Sequence, residues 1–202
     1  MRITDIKQQV KRKTRYSIYV DDKYSFSLSE TELMKSCIRI GRDYNAEELE
    51  ELQQTAVLDK AFMRSLDYLA RRPRSEWEVR DYLKRKEYDS PTIDTILNKL
   101  SDYDYIDDAK FAQAWITNRR LLKPTSLRRL RQELIQKHVS KEVIEAALTE
   151  DEGDETASLK EVIEKKRSQS RYQDPQKLIA YLLRQGYNYG DIKDALQSTT
   201  ED

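Results

Sequence analysis

A single cysteine, one histidine, four glycines and four prolines in 202 residues exclude several classes of protein at once. One thiol cannot form an intramolecular disulfide, which suits a reducing compartment and points to the cytoplasm. Cys37 stands between Ser36 and Ile38-Arg39-Ile40 with no histidine nearby, so it reads as a packed thiol rather than a nucleophile. A metal site needs several ligands, and no Cys/His cluster exists; His138, beside Lys137, reads as a surface or capping residue. So few glycines and prolines cannot supply the turns of an all-β fold. No apolar run reaches the ~18 residues that span a bilayer, and Met1-Arg2-Ile3-Thr4-Asp5 lacks the apolar core of a secretion signal. A glycine-rich phosphate loop, a Ser/His/Asp or Cys/His set and paired-ligand spacing are missing too. Neither an enzyme nor a cofactor is expected.

Charge is what the chain has in abundance. Charged residues make up 37% of it, 37 basic against 37 acidic, and the mean hydropathy is −0.90. The zero balance hides an uneven layout. Residues 109–148 hold nine basic and three acidic groups, a net of +6, whereas residues 59–108 carry −2 and residues 149–202 carry −4. A basic run, Lys11-Arg12-Lys13-Thr14-Arg15, lies near the start. A positive centre of this kind suits a polyanion or an acidic protein face; a solvated, arginine-rich helix face accounts for it equally well.

One pattern occurs three times. Aligned on Leu83, Leu134 and Leu182, the chain places Val79, Leu130 and Leu178 four positions earlier. Ile93, Ile144 and Ile192 lie ten positions later, followed by Ile96, Ala147 and Ala195, then Leu97, Leu148 and Leu196. Ser75, Ser126 and Asp174 precede the anchors by eight positions, and Asp89, Ser140 and Asn188 follow them by six. All six can accept hydrogen bonds from the free amides of a helix start. Self-similarity at this period marks a helical repeat of three short helices, each too short to be stable alone. Four positions after the anchors stand Glu87, His138 and Gly186, where a helix end in the left-handed conformation would suit only the glycine.

Upstream, residues 15–28 read as a hairpin, with Tyr16, Ile18, Val20 and Tyr24, Phe26, Leu28 alternating around Asp21-Asp22-Lys23. Ile3, Ile6 and Val10 suggest a third strand, because an isolated hairpin is marginal in water. Glu30–Lys35 reads as a short helix. Asn45 and Glu48 form a capping box ahead of a helical stretch with a break expected near Thr55 and an end at Arg71-Arg72-Pro73. Ser75 and Glu78 form a second box, and Tyr82 and Tyr103 read as core. An acidic link, residues 150–155, precedes the last repeat.

The expected fold is therefore mainly α: three tandem three-helix repeats in an elongated, curved array behind a small β-rich subdomain. The expected boundaries are 1–45, 46–105, 106–150 and 151–202. Basic clusters recur near the ends of each repeat's first helix: Arg71, Arg72 and Arg74; Arg119, Arg120 and Lys123; and Lys165, Lys166, Arg167 and Arg171. Arg128, Arg129 and Arg131 occupy the next helix of the second repeat. Basic residues at a helix C-terminus also complement its dipole, which explains any one cluster as well as a binding role does. Recurrence favours a stripe, with Arg71, Arg72, Arg74, Arg119, Arg120, Lys123, Arg128, Arg129 and Arg131 as candidate contacts.

Leu66-Asp67-Tyr68-Leu69-Ala70-Arg71-Arg72-Pro73-Arg74-Ser75, followed by Tyr82-Leu83, resembles the opening repeat of RecX proteins, the regulators of the RecA recombinase. Residues 105–112 (Tyr105-Ile106-Asp107-Asp108-Ala109-Lys110-Phe111-Ala112) and 127–134 (Leu127-Arg128-Arg129-Leu130-Arg131-Gln132-Glu133-Leu134) are similar to that family's joining segment and basic second helix. The resemblance covers residues 55–197, and the hairpin is similar to an extension of some members. Family members often carry Gly at the place of Thr125 or Ser126, and Lys-Gly where this chain has Lys137-His138. The resemblance implies a monomeric, cytoplasmic, non-enzymatic protein that binds the RecA–DNA filament and limits strand exchange and filament growth, touching single- or double-stranded DNA more weakly and in a salt-dependent way. A helical-repeat DNA binder acting without a recombinase is the alternative.

Overall fold

Alternation of apolar and polar residues builds the first element of the chain. In the computed structural model, which describes residues 1–151 and 153–198, strands β1 (Ile3–Gln8), β2 (Arg15–Val20) and β3 (Lys23–Ser29) form an antiparallel sheet in the order β1-β2-β3. Ile3, Ile18, Val20, Phe26 and Leu28 are buried on one face. Asp21 and Asp22 both take positive φ, 48° and 64°, and Val20 pairs with Lys23 across them. This is the primed turn that matches strand twist. The expected third strand is present, although Val10 lies outside it and is exposed.

Helix α1 (Glu30–Lys35) starts on Ser29, whose side chain accepts from the Glu32 amide. Cys37 follows with φ 48° and is exposed, which corrects the expectation of a packed thiol. The chain turns left-handed there, and Ile38 takes the buried place instead.

Helix α2 (Ala46–Leu69) runs for 24 residues behind the Asn45/Glu48 capping box. There is no break at Thr55, because its hydroxyl donates to the Glu51 carbonyl at 2.9 Å and stays within the helix. Leu49 and Ala56 pack with the sheet, whereas Ala61 packs with Val79, Leu83 and Ile93. Thus one helix serves two cores. A buried ion pair pins it to the sheet: Arg15 Nη1 lies 3.0 Å from Asp59 Oδ2, both side chains being 6% exposed. Asp59 also accepts from the Ser29 amide at 2.8 Å and hydroxyl at 2.6 Å, and Arg15 Nη2 donates to the Ser27 carbonyl. The last member of the basic run at residues 11–15 is therefore structural.

Eight further helices complete the chain: α3 (Glu76–Lys84), α4 (Ser90–Asp102), α5 (Asp108–Leu122), α6 (Leu127–Gln136), α7 (Lys141–Thr149), α8 (Glu155–Arg167), α9 (Pro175–Gln185) and α10 (Tyr189–Ser198). A short 3-10 turn, Ser170–Tyr172, precedes α9. Glu152 of the acidic link lies outside the described residues. By packing, the chain divides into Met1–Arg74 with Glu78–Ile106, and Ser75–Trp77 with Asp107–Asp202.

Leu83, Leu134 and Leu182 are all fully buried, and Val79, Leu130, Leu178, Ile93, Ile144 and Ile192 are at most 2% exposed. Each anchor carbonyl accepts the amide five residues on: Tyr88 to Leu83, Val139 to Leu134 and Tyr187 to Leu182, at 3.2–3.3 Å. This long bond closes a helix through a left-handed residue. Glu87, His138 and Gly186 supply it, with φ of 64°, 56° and 94°. The first two repeats thus accept a conformation costing a non-glycine residue about 1–2 kcal/mol. Tyr82 is half-buried and stacks on Tyr68, but Tyr103 is exposed, contrary to its reading as core; it caps α4, where its side chain has left the apolar stripe.

Leu134→Ala should lower stability by about 2–5 kcal/mol through the cavity it leaves, measured by urea denaturation. Asp59→Ala should cost about 3–5 kcal/mol, since it strands the buried Arg15 charge; a midpoint within error of the parent in the same melts would show that water relieves that charge.

Candidate functional site

The second packed unit is organised by two serines. Ser126, fully buried, accepts the Arg129 amide at 3.2 Å and so caps α6, while its hydroxyl donates to the Gln185 carbonyl at the end of α9 at 2.7 Å. The amide of Leu127 donates to Glu155 at the start of α8, at 3.1 Å. One repeat earlier the same set recurs. Ser75 donates to the Lys137 carbonyl at 2.8 Å, and the Glu76 amide donates to Asp108 at 2.8 Å. Each serine thereby closes a helix end sixty or so residues away. A Cβ on Gly186 would lie 2.7 Å from Ser126 Oγ, so glycine is required there by proximity as well as by φ. At the corresponding place His138 is accommodated by stacking on Trp77, with ring centroids 3.9 Å apart.

Six of the nine candidate cations are held inside the protein. Arg72 makes a two-pronged pair with Glu78 at 2.6 and 3.1 Å, and this carboxylate raises the guanidinium's pKa further. Arg74 lies over the Tyr68 ring at 4.0 Å and 3.8 Å from Glu78, with its Nε buried and unpaired. Arg119 and Arg129 both bind Glu133, at 2.7 and 3.4 Å, and Glu133 also accepts from the Trp115 indole. Arg131 makes a two-pronged pair with Glu145, which holds that carboxyl below its ordinary range.

Arg120 is wholly committed. It pairs with Asp151 at 2.6 Å and donates to the Thr125 carbonyl and the Ser158 hydroxyl, its side chain only 14% exposed. Arg71, Lys123 and Arg128, by contrast, are exposed and make no ion pair among the described residues.

Lys123 and Arg129 line a cleft of about 190 Å³ together with Lys165, Lys166, Tyr181 and Tyr187. The sequence had flagged the two lysines only as a third-repeat cluster. It gave no sign of Tyr187, whose equivalents in the other repeats are Tyr88 and Val139. Among the described residues, no group of His, Cys, Asp and Glu could hold a metal ion, and no helix is long and apolar enough to cross a membrane.

Set beside known families, the three repeats match the models for the first, second and third three-helix domains of RecX at residues 61–100, 107–148 and 153–196. Residues 1–44 match the N-terminal domain of regulatory protein RecX. The chain belongs to the RecX family. It is 33% identical over 207 residues to the regulatory protein RecX of Listeria monocytogenes serotype 4a (strain HCC23), covering 100% of this chain and 77% of that one. To the RecX of Halalkalibacterium halodurans it is 35% identical over 202 residues, covering 96% and 76%. A crystal structure of regulatory protein RecX superposes with a TM-score of 0.73 at 27% identity, covering 96% of this chain and 98% of that one. RecX from Lactobacillus salivarius shares the fold, with a TM-score of 0.64 at 23% identity over 72% of this chain and 97% of that one. The mainly helical RecX fold with its small N-terminal sheet is thus established, and the family is one of regulatory proteins.

The two kinds of cation should separate on mutation. Arg120→Ala should cost about 3–5 kcal/mol by stranding Asp151, whereas Arg128→Ala should stay within about 0.5 kcal/mol of the parent. Chemical denaturation of both variants checks this, and equal losses would mean that Arg128 is structural as well.

Proposed function

We propose that this RecX protein is a non-enzymatic regulator that binds the RecA–DNA filament in the cytoplasm, as a monomer, and limits strand exchange and filament growth. The observation that carries the reading is the placement of positive charge in the second repeat. Nine basic groups face only three acidic ones there, and Lys123 and Arg128 remain exposed without an internal partner. A charge held by its own carboxylate has little left for a ligand, so these two, with Arg71 in the first repeat, are the contacts that matter. The six arginines already paired set the scaffold that presents them. Attraction of this kind steers association and weakens as salt rises.

Co-sedimentation with RecA filaments across a salt series, beside naked single-stranded DNA, tests the proposal. Tight, salt-sensitive association should require RecA, and the wild-type chain should inhibit strand exchange. The triple variant Arg71→Glu, Lys123→Glu, Arg128→Glu should lose most of that inhibition while keeping its helical circular dichroism. Full inhibition by the variant would remove these residues from the mechanism. Equal binding to naked DNA and to the filament would favour a DNA binder that acts without a recombinase.

A further inference from the structure

The cleft lined by Lys123, Arg129, Lys165, Lys166 and Tyr187 has a composition that packing does not explain. Four cations converge on it, and no carboxylate is among the described residues of its wall. Lys123 and Lys165 have no ion pair among the described residues. Arg129 spends Nε on Glu133 and Nη1 on Gln185, leaving Nη2 without a partner among the described residues. Lys166 lies 5.0 and 5.4 Å from the ring centroids of Tyr181 and Tyr172, which hold its stem in place without neutralising it. Tyr187 is 3% exposed, and its hydroxyl is buried without any hydrogen-bond partner. An unpaired buried donor costs roughly 1–3 kcal/mol; a ligand that accepts from it recovers that loss.

We infer that this cleft is a binding site for a phosphate group, with the Tyr187 hydroxyl as buried donor and Lys123, Arg129, Lys165 and Lys166 as its charge. The start of α6 is not what makes the site, because its amides already have Ser126 and Glu155. The volume of about 190 Å³ far exceeds the ~10–15 Å³ that one water requires, so a tetrahedral oxyanion fits. Burial pushes the Tyr187 phenol up to about 12, so it is a protonated donor at neutral pH. Hydrogen bonds from a neutral hydroxyl to an anion are among the stronger kind. The phosphate may be supplied in two ways, as a diester in a nucleic-acid backbone or as a free phosphate or nucleotide. The backbone source deepens the proposed function and rests on its reading that the chain meets DNA in the filament.

The test uses the full chain and Tyr187→Phe, which removes only the unpaired oxygen, beside the double variant Lys123→Ala, Lys166→Ala. Fluorescence anisotropy follows a labelled oligothymidylate, the same oligomer with uncharged methylphosphonate links, and competition by inorganic phosphate. Tyr187→Phe should weaken oligothymidylate binding about tenfold while its thermal midpoint stays level or rises. The double variant should weaken it further, and the methylphosphonate oligomer should bind poorly and respond to neither change. If the variants alter only the competition by inorganic phosphate, the site takes free phosphate groups. Parental affinity for both probes in both variants would overturn the assignment. Co-sedimentation of Tyr187→Phe with RecA filaments separates the two readings: unchanged filament binding alongside lost oligomer binding leaves the cleft standing and removes it from the RecA interaction.

Discussion

A serine hydroxyl has one proton and two lone pairs, and the second unit uses both functions at one buried point. Ser126 accepts an amide at the start of α6 and donates to a carbonyl at the end of α9. Helix starts have spare donors and helix ends have spare acceptors, so a single hydroxyl answers both needs where two helices meet end to end. Glu155 answers a further amide from the opposite side. Without this arrangement the close approach at Gly186 would bury unpaired polar groups, a cost that apolar contacts nearby could not offset. Ser75, Lys137, Glu76 and Asp108 repeat the device. In the third repeat Asp174 takes the serine's place and caps only its own helix, on the Gln176 amide.

The same constraint sorts the arginines. Those near the helix junctions are drawn into ion pairs that cross between elements: Arg120 to Asp151, Arg131 to Glu145, Arg119 and Arg129 to Glu133. The residues left facing solvent, Arg71, Lys123 and Arg128, sit where no acidic side chain comes within reach. A basic segment in the sequence is therefore two populations in the fold. One population holds helices in place and the other remains available.

Much of this was legible in the residues. The anchors at Leu83, Leu134 and Leu182, the caps at Asp107, Ser126 and Ser140, the hairpin turn at Asp21-Asp22 and the short helix at Glu30–Lys35 are local signals, fixed by spacing within a dozen positions. What stayed hidden depends on partners far along the chain. Nothing near Arg15 announces Asp59, nor does anything near Arg120 announce Asp151, and so both arginines looked like surface charge. Tyr187 was invisible for a related reason: its position follows a helix end in the repeat pattern, and only the packing of α6, α8 and α9 around it shows a phenol without a partner. Cys37 and Tyr103 were misread because apolar character was taken for burial at places where the backbone turns the side chain outward.

The single rod of α2 has its own consequence. Its early turns complete the core under the sheet and its later turns complete the core of the first helical repeat, so the two share one hydrogen-bonded ladder with no hinge between them. Fraying of either end propagates along that ladder, and the sheet and the first repeat lose their structure together as one cooperative block. A truncation that removed only the strands would leave Leu49, Leu52 and Ala56 facing water along a stranded helix, an adhesive strip where the intact protein has an interior.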